Sequence, residues 1–151
     1  MKKLAVVFVT LQLLVSEGVW AAPLLPAGWH QAEWWDLGGR DRSDVVADLK
    51  GDGAVQIATV AIRDGREIIG LLVWYGNQQG NGKWTVLHEQ KIPSSMANFA
   101  LDAQPIDDNS TRSAVHYCVA ARECMVFVWD EKSNNFKRSV EARKAVVKSK
   151  G

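Results

Sequence analysis

Two apolar, β-branched runs joined by a short polar turn constrain the fold of this chain more than any other feature. Residues 55–62 read VQIATVAI, residues 67–75 read EIIGLLVWY, and residues 63–66 between them read RDGR. Runs of this length and composition are typical of β-strands, and the Asp64-Gly65 pair predicts a type I′ turn, in which both central residues have positive φ. Because the second run is almost continuously apolar, we predict a central strand covered on both faces.

The same criteria predict four further strands. One occupies residues 83–92 after a glycine-rich, uncharged loop at 76–82, two flank the cysteines, and the last surrounds residues 136–138. Residues 93–109 are ambiguous, because Ser94 can cap a short helix whereas the QPIDDN stretch that follows breaks regular structure. The predicted fold is mainly β, with an α+β class left open: an antiparallel meander of about six strands with at most one short helix.

Residues 1–21 have the three-part pattern of a secretory signal peptide: two early lysines, an apolar stretch, and a VWA cleavage site with small residues at its first and last positions. We predict cleavage after Ala21 and a periplasmic or secreted protein. The apolar stretch is too short to span a bilayer comfortably, and no later segment replaces it. The remaining chain is predicted to form a single β-rich domain at 22–138 and a basic C-terminal tail at 139–151.

Charge is nearly balanced in total but unevenly distributed, because the basic excess at the C-terminal end is offset by an acidic excess in residues 22–136. The sequence contains 18 basic and 17 acidic side chains, and residues 137–151 carry an excess of basic ones. A basic tail can meet acidic partners, lipid head groups or nucleic acid. Because an exported protein rarely meets nucleic acid, we predict a solvated tail and no nucleic-acid partner.

The two cysteines, Cys118 and Cys124, are predicted to form a disulfide, because export would place them in an oxidising compartment. Their spacing is not Cys-x-x-Cys, which disfavours a redox-active pair. If residues 120–122 form a three-residue loop, Cys118 faces Cys124 across a hairpin and His116 faces Val126. A two-residue turn would instead place the two sulfurs on opposite faces, because one residue of slip inverts the side-chain pattern.

One segment, DLKGDGAVQ, follows the outline of a Ca²⁺-binding loop. Such loops place oxygen ligands at positions 1, 3 and 5, a backbone carbonyl at 7 and an acid at 9. Asp48, Asp52 and Ala54 match this pattern, whereas Lys50 stands at position 3 and Gln56 at position 9. Two charged ligands are missing and a cation is added, so we interpret the segment as a degenerate Ca²⁺ loop without micromolar affinity.

The longer segment DVVADLKGDGAVQIATVAI resembles the D-x-D/N-G-D-G-x-x-D segment of FG-GAP and VCBS repeats. The order ADLKGDG, IATV, GLLVWYG, KWTV, VFVWD and NFKR resembles small secreted bacterial proteins of unassigned function that carry one such segment. The resemblance covers roughly residues 44–138. FG-GAP and VCBS repeats form propeller blades, but this chain has residues for two blades at most, which excludes a closed propeller. The alternative interpretation is a glycine-aspartate turn that joins two strands.

Tryptophan is abundant, and Trp29, Trp34 and Trp35 cluster in the segment GWHQAEWWD. Exposed indole faces stack on pyranose rings, and one of two adjacent tryptophans on a strand would point outward, so these three are candidate binding residues. Asn77 and Gln78 in the glycine-rich loop are a second candidate surface, because glycine leaves that loop free to adapt to a partner. The three later tryptophans are predicted to lie in the core: Trp74, Trp84 and Trp129.

Enzyme signatures are mostly absent from the chain. The histidines form no H-E-x-x-H or related pattern, so we predict no metal and no cofactor. The sequence favours an exported, non-catalytic binding protein that engages another envelope protein, for example as an inhibitor or immunity-type factor. The alternative is a carbohydrate or envelope-polymer binding module that uses the N-terminal tryptophans. A hydrolase ranks third and would need a triad drawn from Ser94 or Ser95, His88 or His116, and Asp102.

Overall fold

A computed structural model describes five stretches of the chain: residues 23–40, 42–76, 82–96, 99–119 and 124–139. Within them it contains these strands: β1 (Trp29–Gln31), β2 (Asp44–Ala47), β3 (Gln56–Arg63), β4 (Ile68–Gly76), β5 (Gly82–Lys91), β6 (Ala100–Pro105), β7 (Ser113–Cys118), β8 (Cys124–Asp130) and β9 (Asn135–Ser139). The described stretches contain no helix. The mainly β fold class is therefore confirmed.

The strands form two antiparallel sheets. In the first sheet, β3, β4 and β5 form a meander, and the short strands β1 and β2 both pair with the free edge of β3. The second sheet is a four-stranded meander in the order β6, β7, β8, β9. Three of these strands, β1, β2 and β6, lie in segments where the sequence predicted none, so the described part of the chain has nine strands rather than about six.

One cluster of buried side chains joins the two sheets. It includes Val60 and Leu71 from the first sheet and Tyr117 and Phe127 from the second, all at most 5% exposed. Burial of this apolar surface stabilises the fold at about 25 cal/mol per Å² removed from water. The core therefore lies between the inner faces of the two sheets.

Strand β4 is covered on both faces, as its continuous apolar run predicts. Its six residues from 69 to 74 are all buried. Leu71 faces the core, whereas Leu72, its neighbour, faces the opposite side and is 0% exposed. On that outer face the Trp29 ring lies over Gly70, where a Cβ would approach the ring to 2.6 Å. Glycine is thus required at this position for the ring to pack on the sheet.

Two of the three later tryptophans are buried, as predicted. Trp129 is 5% exposed and belongs to the cluster between the sheets, whereas Trp74 is 8% exposed but lies outside that cluster, opposite Trp84. Trp84 is only half-buried on the outer face of the first sheet, where its Nε1–H donates to the Leu24 carbonyl oxygen at 2.8 Å. The segment that precedes β1 is held against that face by this bond.

The turn between β3 and β4 differs from the predicted type I′. Type I′ needs positive φ at both central residues, but of the Asp64-Gly65 pair only Gly65 has it, at 65°. The Arg66 N–H donates to the Arg63 carbonyl at 3.1 Å and closes the turn. A single glycine therefore supplies the left-handed conformation that this turn requires.

The short helix that Ser94 could have capped is not formed in the described residues. Residues 100–105 form β6 instead. Leu101 is buried whereas Asp102 and Gln104 are exposed, so the side chains alternate with the period of two that a strand needs. Pro105 ends this strand at the edge of the sheet, where its missing N–H costs little.

The cysteine hairpin has the predicted register. Cys118 pairs with Cys124 and His116 pairs with Val126 across β7 and β8. The two sulfurs lie 2.07 Å apart, at disulfide-bonding distance. The loop at 120–123 lies outside the described residues.

We expect the disulfide to be present in the purified protein and to stabilise it by about 2 kcal/mol, because the loop that it closes is short. Intact mass after iodoacetamide treatment under denaturing, non-reducing conditions should show no label on Cys118 or Cys124. Urea unfolding of Cys118→Ser should show the stability loss, and the double variant with Cys124→Ser should lose no more than the single one. Labelling of both cysteines without reduction would refute the pairing.

Candidate functional site

The candidate site is built on the tryptophan turn, a name used here for residues 33–39. Its backbone makes one helical turn: the Leu37 N–H donates to the Glu33 carbonyl at 3.2 Å, and the Gly39 N–H donates to the Trp34 carbonyl at 2.8 Å. Gly38 has φ +63°, which allows the second bond to close the turn in the manner of a helix C-cap. At the other end, the Glu33 N–H donates to the Asp36 carboxylate at 2.9 Å.

The tryptophan turn is anchored to the core. Leu37 is 0% exposed and belongs to the core cluster, and Ala32, just before the turn, is 4% exposed. Gly38 lies so close to the backbone of Met96 that an added Cβ would come within 2.7 Å of the Met96 carbonyl oxygen. The turn is therefore held in one position by an apolar anchor and by a close backbone contact.

The anchored turn presents two exposed indoles. Trp34 is 58% exposed and Trp35 is 61% exposed, and they are the only aromatic residues among the exposed large hydrophobics of the described chain. Their ring centroids lie 5.7 Å apart with an edge-to-face angle of 75°. Tryptophan is normally well buried, and exposed aromatics on a rigid scaffold are typical of contact surfaces.

A cleft of about 370 Å³ lies beside Trp34, between the tryptophan turn and the strands β1 and β2. Two buried apolar residues, Ala32 and Leu37, form part of its lining. Polar residues supply the rest: Gln31, Glu33, Arg40, Ser43 and Asp44. The lining thus combines one tryptophan with neutral polar, acidic and basic residues.

Two hydrogen bonds hold the lining residues Gln31 and Ser43 in place. The Gln31 amide Nε2–H donates to the Ser43 hydroxyl oxygen at 2.8 Å. The Ser43 carbonyl accepts a hydrogen bond from the Val60 N–H at 2.7 Å, which connects Ser43 to β3. Trp35 does not line the cleft, so only one of the two adjacent tryptophans borders it.

Trp29 differs from Trp34 and Trp35 in its surroundings. Trp29 is half-buried on the outer face of the first sheet, and the Arg63 guanidinium lies 5.5 Å from its ring centroid. The packing of the Trp29 ring on Gly70 gives this residue a structural role. A binding role for Trp29 stays a prediction. Asn77 and Gln78 lie outside the described residues.

The degenerate Ca²⁺ loop is closed by hydrogen bonds between a side-chain carboxylate and backbone N–H groups of the same loop. The Asp48 carboxylate accepts hydrogen bonds from the N–H groups of Gly51 at 2.6 Å, Asp52 at 3.2 Å and Gly53 at 2.9 Å. Both Asp48 oxygens are engaged in this way. The first predicted ligand is therefore directed at backbone amides.

Gln56 and Lys50 complete the loop. The Gln56 side-chain oxygen accepts from the Leu49 N–H at 2.6 Å and from the Lys50 N–H at 3.1 Å. The Lys50 ammonium lies 3.3 Å from the Asp52 carboxylate and 4.9 Å from the centroid of the Trp129 ring. A lysine charge thus sits where the loop pattern would place a metal ligand.

These contacts also set the ionisation of Asp52. Burial opposes its negative charge, but hydrogen bonds from the Ala54 N–H and from Lys50, together with the Lys50 charge, outweigh that effect and lower the pKa of Asp52. The Lys50 ammonium therefore helps to stabilise the charged form of the Asp52 carboxylate, as a bound cation would.

We expect millimolar Ca²⁺ to leave the melting temperature unchanged, because Lys50 and Gln56 occupy ligand positions. The measurement is sensitive, since a ligand at 100 times its dissociation constant would stabilise the fold by about 2.7 kcal/mol. Thermal unfolding with Ca²⁺ and with a chelator gives the comparison, and Mg²⁺ at the same concentration controls for ionic strength. A clear rise with Ca²⁺ alone would show that the loop binds the ion.

The residues considered for a hydrolase lie on both sheets and between them, with Ser94 and Ser95 in the segment that joins β5 to β6. His116 pairs with Asp102 across β7 and β6, and burial lowers the pKa of His116 although the Asp102 charge opposes this. His88 lies on β5 of the other sheet, where its ring packs 6.2 Å from that of Tyr117. Among the described residues, no group of three or more His, Cys, Asp or Glu side chains is placed to hold a metal ion.

Comparison with known proteins found no match to the chain among family models, curated proteins or solved structures. The resemblance to FG-GAP and VCBS repeats thus stays a prediction. No helix with the length and apolar character needed to cross a membrane occurs in the described stretches.

Proposed function

We propose that this protein is an exported, non-catalytic binding protein whose contact surface is the tryptophan turn together with the cleft beside Trp34. The observation that carries the proposal is the rigid display of Trp34 and Trp35, each more than half exposed, on a turn whose own position is fixed by Leu37 and Gly38. Surfaces of this kind concentrate binding energy in a few aromatic anchors.

The fixed position of the tryptophan turn supports a binding role, because the turn has little conformational entropy left to lose when a ligand binds. A mobile loop pays for ordering when it binds, whereas a preorganised one does not. The Gly39 N–H bond to Trp34 and the packing of Leu37 hold the turn in place before any ligand arrives. Exposed indoles on such a turn contribute contact area with little further loss of freedom.

The proposed partner is a macromolecule of the cell envelope, in keeping with the predicted signal peptide. A protein partner would fit the role of an inhibitor or immunity-type factor, and an envelope glycan would fit the role of a polymer-binding module. Both roles use the same surface. They differ in the chemistry of the ligand, and the residues that line the cleft bear on which ligand it binds.

The proposal can be tested by affinity capture. Immobilised protein is incubated with envelope extract, and the retained material is compared between the wild type and the double variant Trp34→Ala, Trp35→Ala. We expect the double variant to lose at least about 2 kcal/mol of affinity, the usual effect of removing an aromatic hot spot. Because both side chains are exposed, the variant should keep its melting temperature.

A matched control is Val86→Ala on β5, which removes another exposed hydrophobic side chain at the opposite edge of the same sheet. It should leave capture unchanged. Capture that survives the double tryptophan replacement would disprove the proposed surface. Turnover of ester, peptide or glycan substrates that is lost on changing His116 would instead favour a hydrolase.

A further inference from the structure

We propose that the cleft beside Trp34 binds an uncharged saccharide with free hydroxyl groups, and that the Trp34 indole packs on the face of the sugar ring. This inference rests on the proposed function and names the ligand of the same site. It follows from the composition, charge and size of the cleft.

The lining of the cleft matches the hydrogen bonding of a sugar. Each sugar hydroxyl donates one hydrogen bond and accepts others, so a site for sugars needs acceptors and donors side by side. The carboxylates of Glu33 and Asp44 are acceptors with two oxygens each, and the Arg40 guanidinium supplies donors only. All three residues line the cleft and are exposed.

The contact between Gln31 and Ser43 leaves both acceptors and donors available. One of the two Gln31 Nε2–H groups is used in its bond to the Ser43 hydroxyl oxygen. The Gln31 carbonyl oxygen therefore remains as an acceptor, and the second Gln31 Nε2–H and the Ser43 hydroxyl hydrogen remain as donors. Their mutual bond fixes the direction in which each can meet a ligand.

Charge and polarity argue against other ligand classes. The lining residues include two acidic side chains, Glu33 and Asp44, and one basic side chain, Arg40, a balance that disfavours phosphates, nucleic acids and other polyanions. A purely apolar ligand would bury these polar groups without hydrogen-bond partners, which is unfavourable. A neutral ligand with many hydroxyls avoids both penalties.

The size of the cleft fits a small unit of a polymer. Its volume of about 370 Å³ lies near the lower end of the range of about 300–1,000 Å³ for small-molecule sites. The cleft opens to solvent, which would let a longer chain continue out of it, and Trp34, 58% exposed, is among its lining residues. A terminal or internal sugar unit of an envelope glycan is the ligand that these features fit together.

The test uses soluble tetrasaccharides of glucose and of N-acetylglucosamine as probes. The purified ¹⁵N-labelled protein is titrated with each, and the indole N–H signals are followed by NMR. We expect the Trp34 signal to shift with at least one probe, and Trp34→Ala to weaken that binding by at least about tenfold, as loss of an aromatic anchor does. Trp34→Phe should fall between the two, because it keeps a smaller ring.

Val86→Ala is the control, since Val86 is another exposed hydrophobic residue, lies on β5 at the opposite edge of the sheet, and is outside the cleft lining. It should leave saccharide binding within about twofold, whereas Asp44→Asn should weaken it more. No shift with either probe, or equal losses for Trp34→Ala and Val86→Ala, would overturn the inference.

The outcome is separable from that of the proposed function. If neither probe binds but capture from envelope extract still depends on Trp34 and Trp35, the partner is a protein: the saccharide inference is wrong and the binding function stands. If capture is also independent of both residues, the proposed function fails as well.

Discussion

Gly38→Ala is expected to lower the free energy of unfolding by at least about 3 kcal/mol and to weaken partner capture. Alanine at φ +63° costs about 1–2 kcal/mol by itself. The added Cβ would also come within 2.7 Å of the Met96 carbonyl oxygen and 2.9 Å of its carbonyl carbon. These are backbone atoms that cannot rotate away, so the tryptophan turn must move off the core.

The adjacent glycine provides the control for this prediction. Gly39 also has positive φ, at 83°, but an added Cβ there meets nothing within 4 Å. Gly39→Ala should therefore cost only the conformational strain, about 1–2 kcal/mol. Urea unfolding of both variants gives the comparison. Equal losses would mean that the contact with Met96 does not hold the turn.

Asp48→Ala is expected to cost about 3 kcal/mol of stability, because three backbone N–H groups lose their acceptor at once. Hydrogen bonds to a charged group contribute about 1.5–3 kcal/mol each when shielded from water, and the partial exposure of Asp48 reduces that value. The loop also links the sheets: the Ser113 N–H donates to the Asp48 carbonyl at 2.8 Å. We therefore expect the two sheets to loosen together in one cooperative transition.

Asp107→Ala is the matched control. Asp107 also accepts from a backbone N–H in an exposed turn, that of Asn109 at 3.0 Å, but from one such group only. Its replacement should cost about 1 kcal/mol. Chemical denaturation measures both variants, and a loss no larger for Asp48 than for Asp107 would show that the loop does not lock the sheets.

The long strands and the cysteine hairpin could be predicted from the sequence because their signals are local. The continuous apolar run at 67–75 can only be a fully covered strand or a buried helix, and the Asp64-Gly65 pair next to it decides in favour of a hairpin. For Cys118 and Cys124, the side-chain period of two leaves one register that unites the sulfurs.

The missed strands have weak local signals. The strands β1 and β2 have three and four residues, too few to show a period, and they form because the free edge of β3 offers them hydrogen bonds. In β6 the alternation around Leu101 was present in the sequence, but Ser94 and Pro105 offered a competing interpretation as cap and breaker.

The candidate site was predicted in part. Adjacent Trp34 and Trp35 were singled out by an argument that assumed a strand, on which one ring would point inward. The structure places them on a helical turn instead, so both rings are exposed. The rest of the cleft could not be predicted. Arg40 and Asp44 line the same cleft as Trp34 because β1 and β2 pair side by side with β3.

The most direct test of the binding surface is the indole N–H spectrum of the ¹⁵N-labelled protein, before and after addition of the material that the immobilised protein retains. Because the proposed surface centres on the tryptophan turn, the Trp34 signal should shift, while the signals of the buried Trp74 and Trp129 should stay in place. Shifts confined to Trp84, with Trp34 unchanged, would contradict the account and move the binding surface to the outer face of the first sheet.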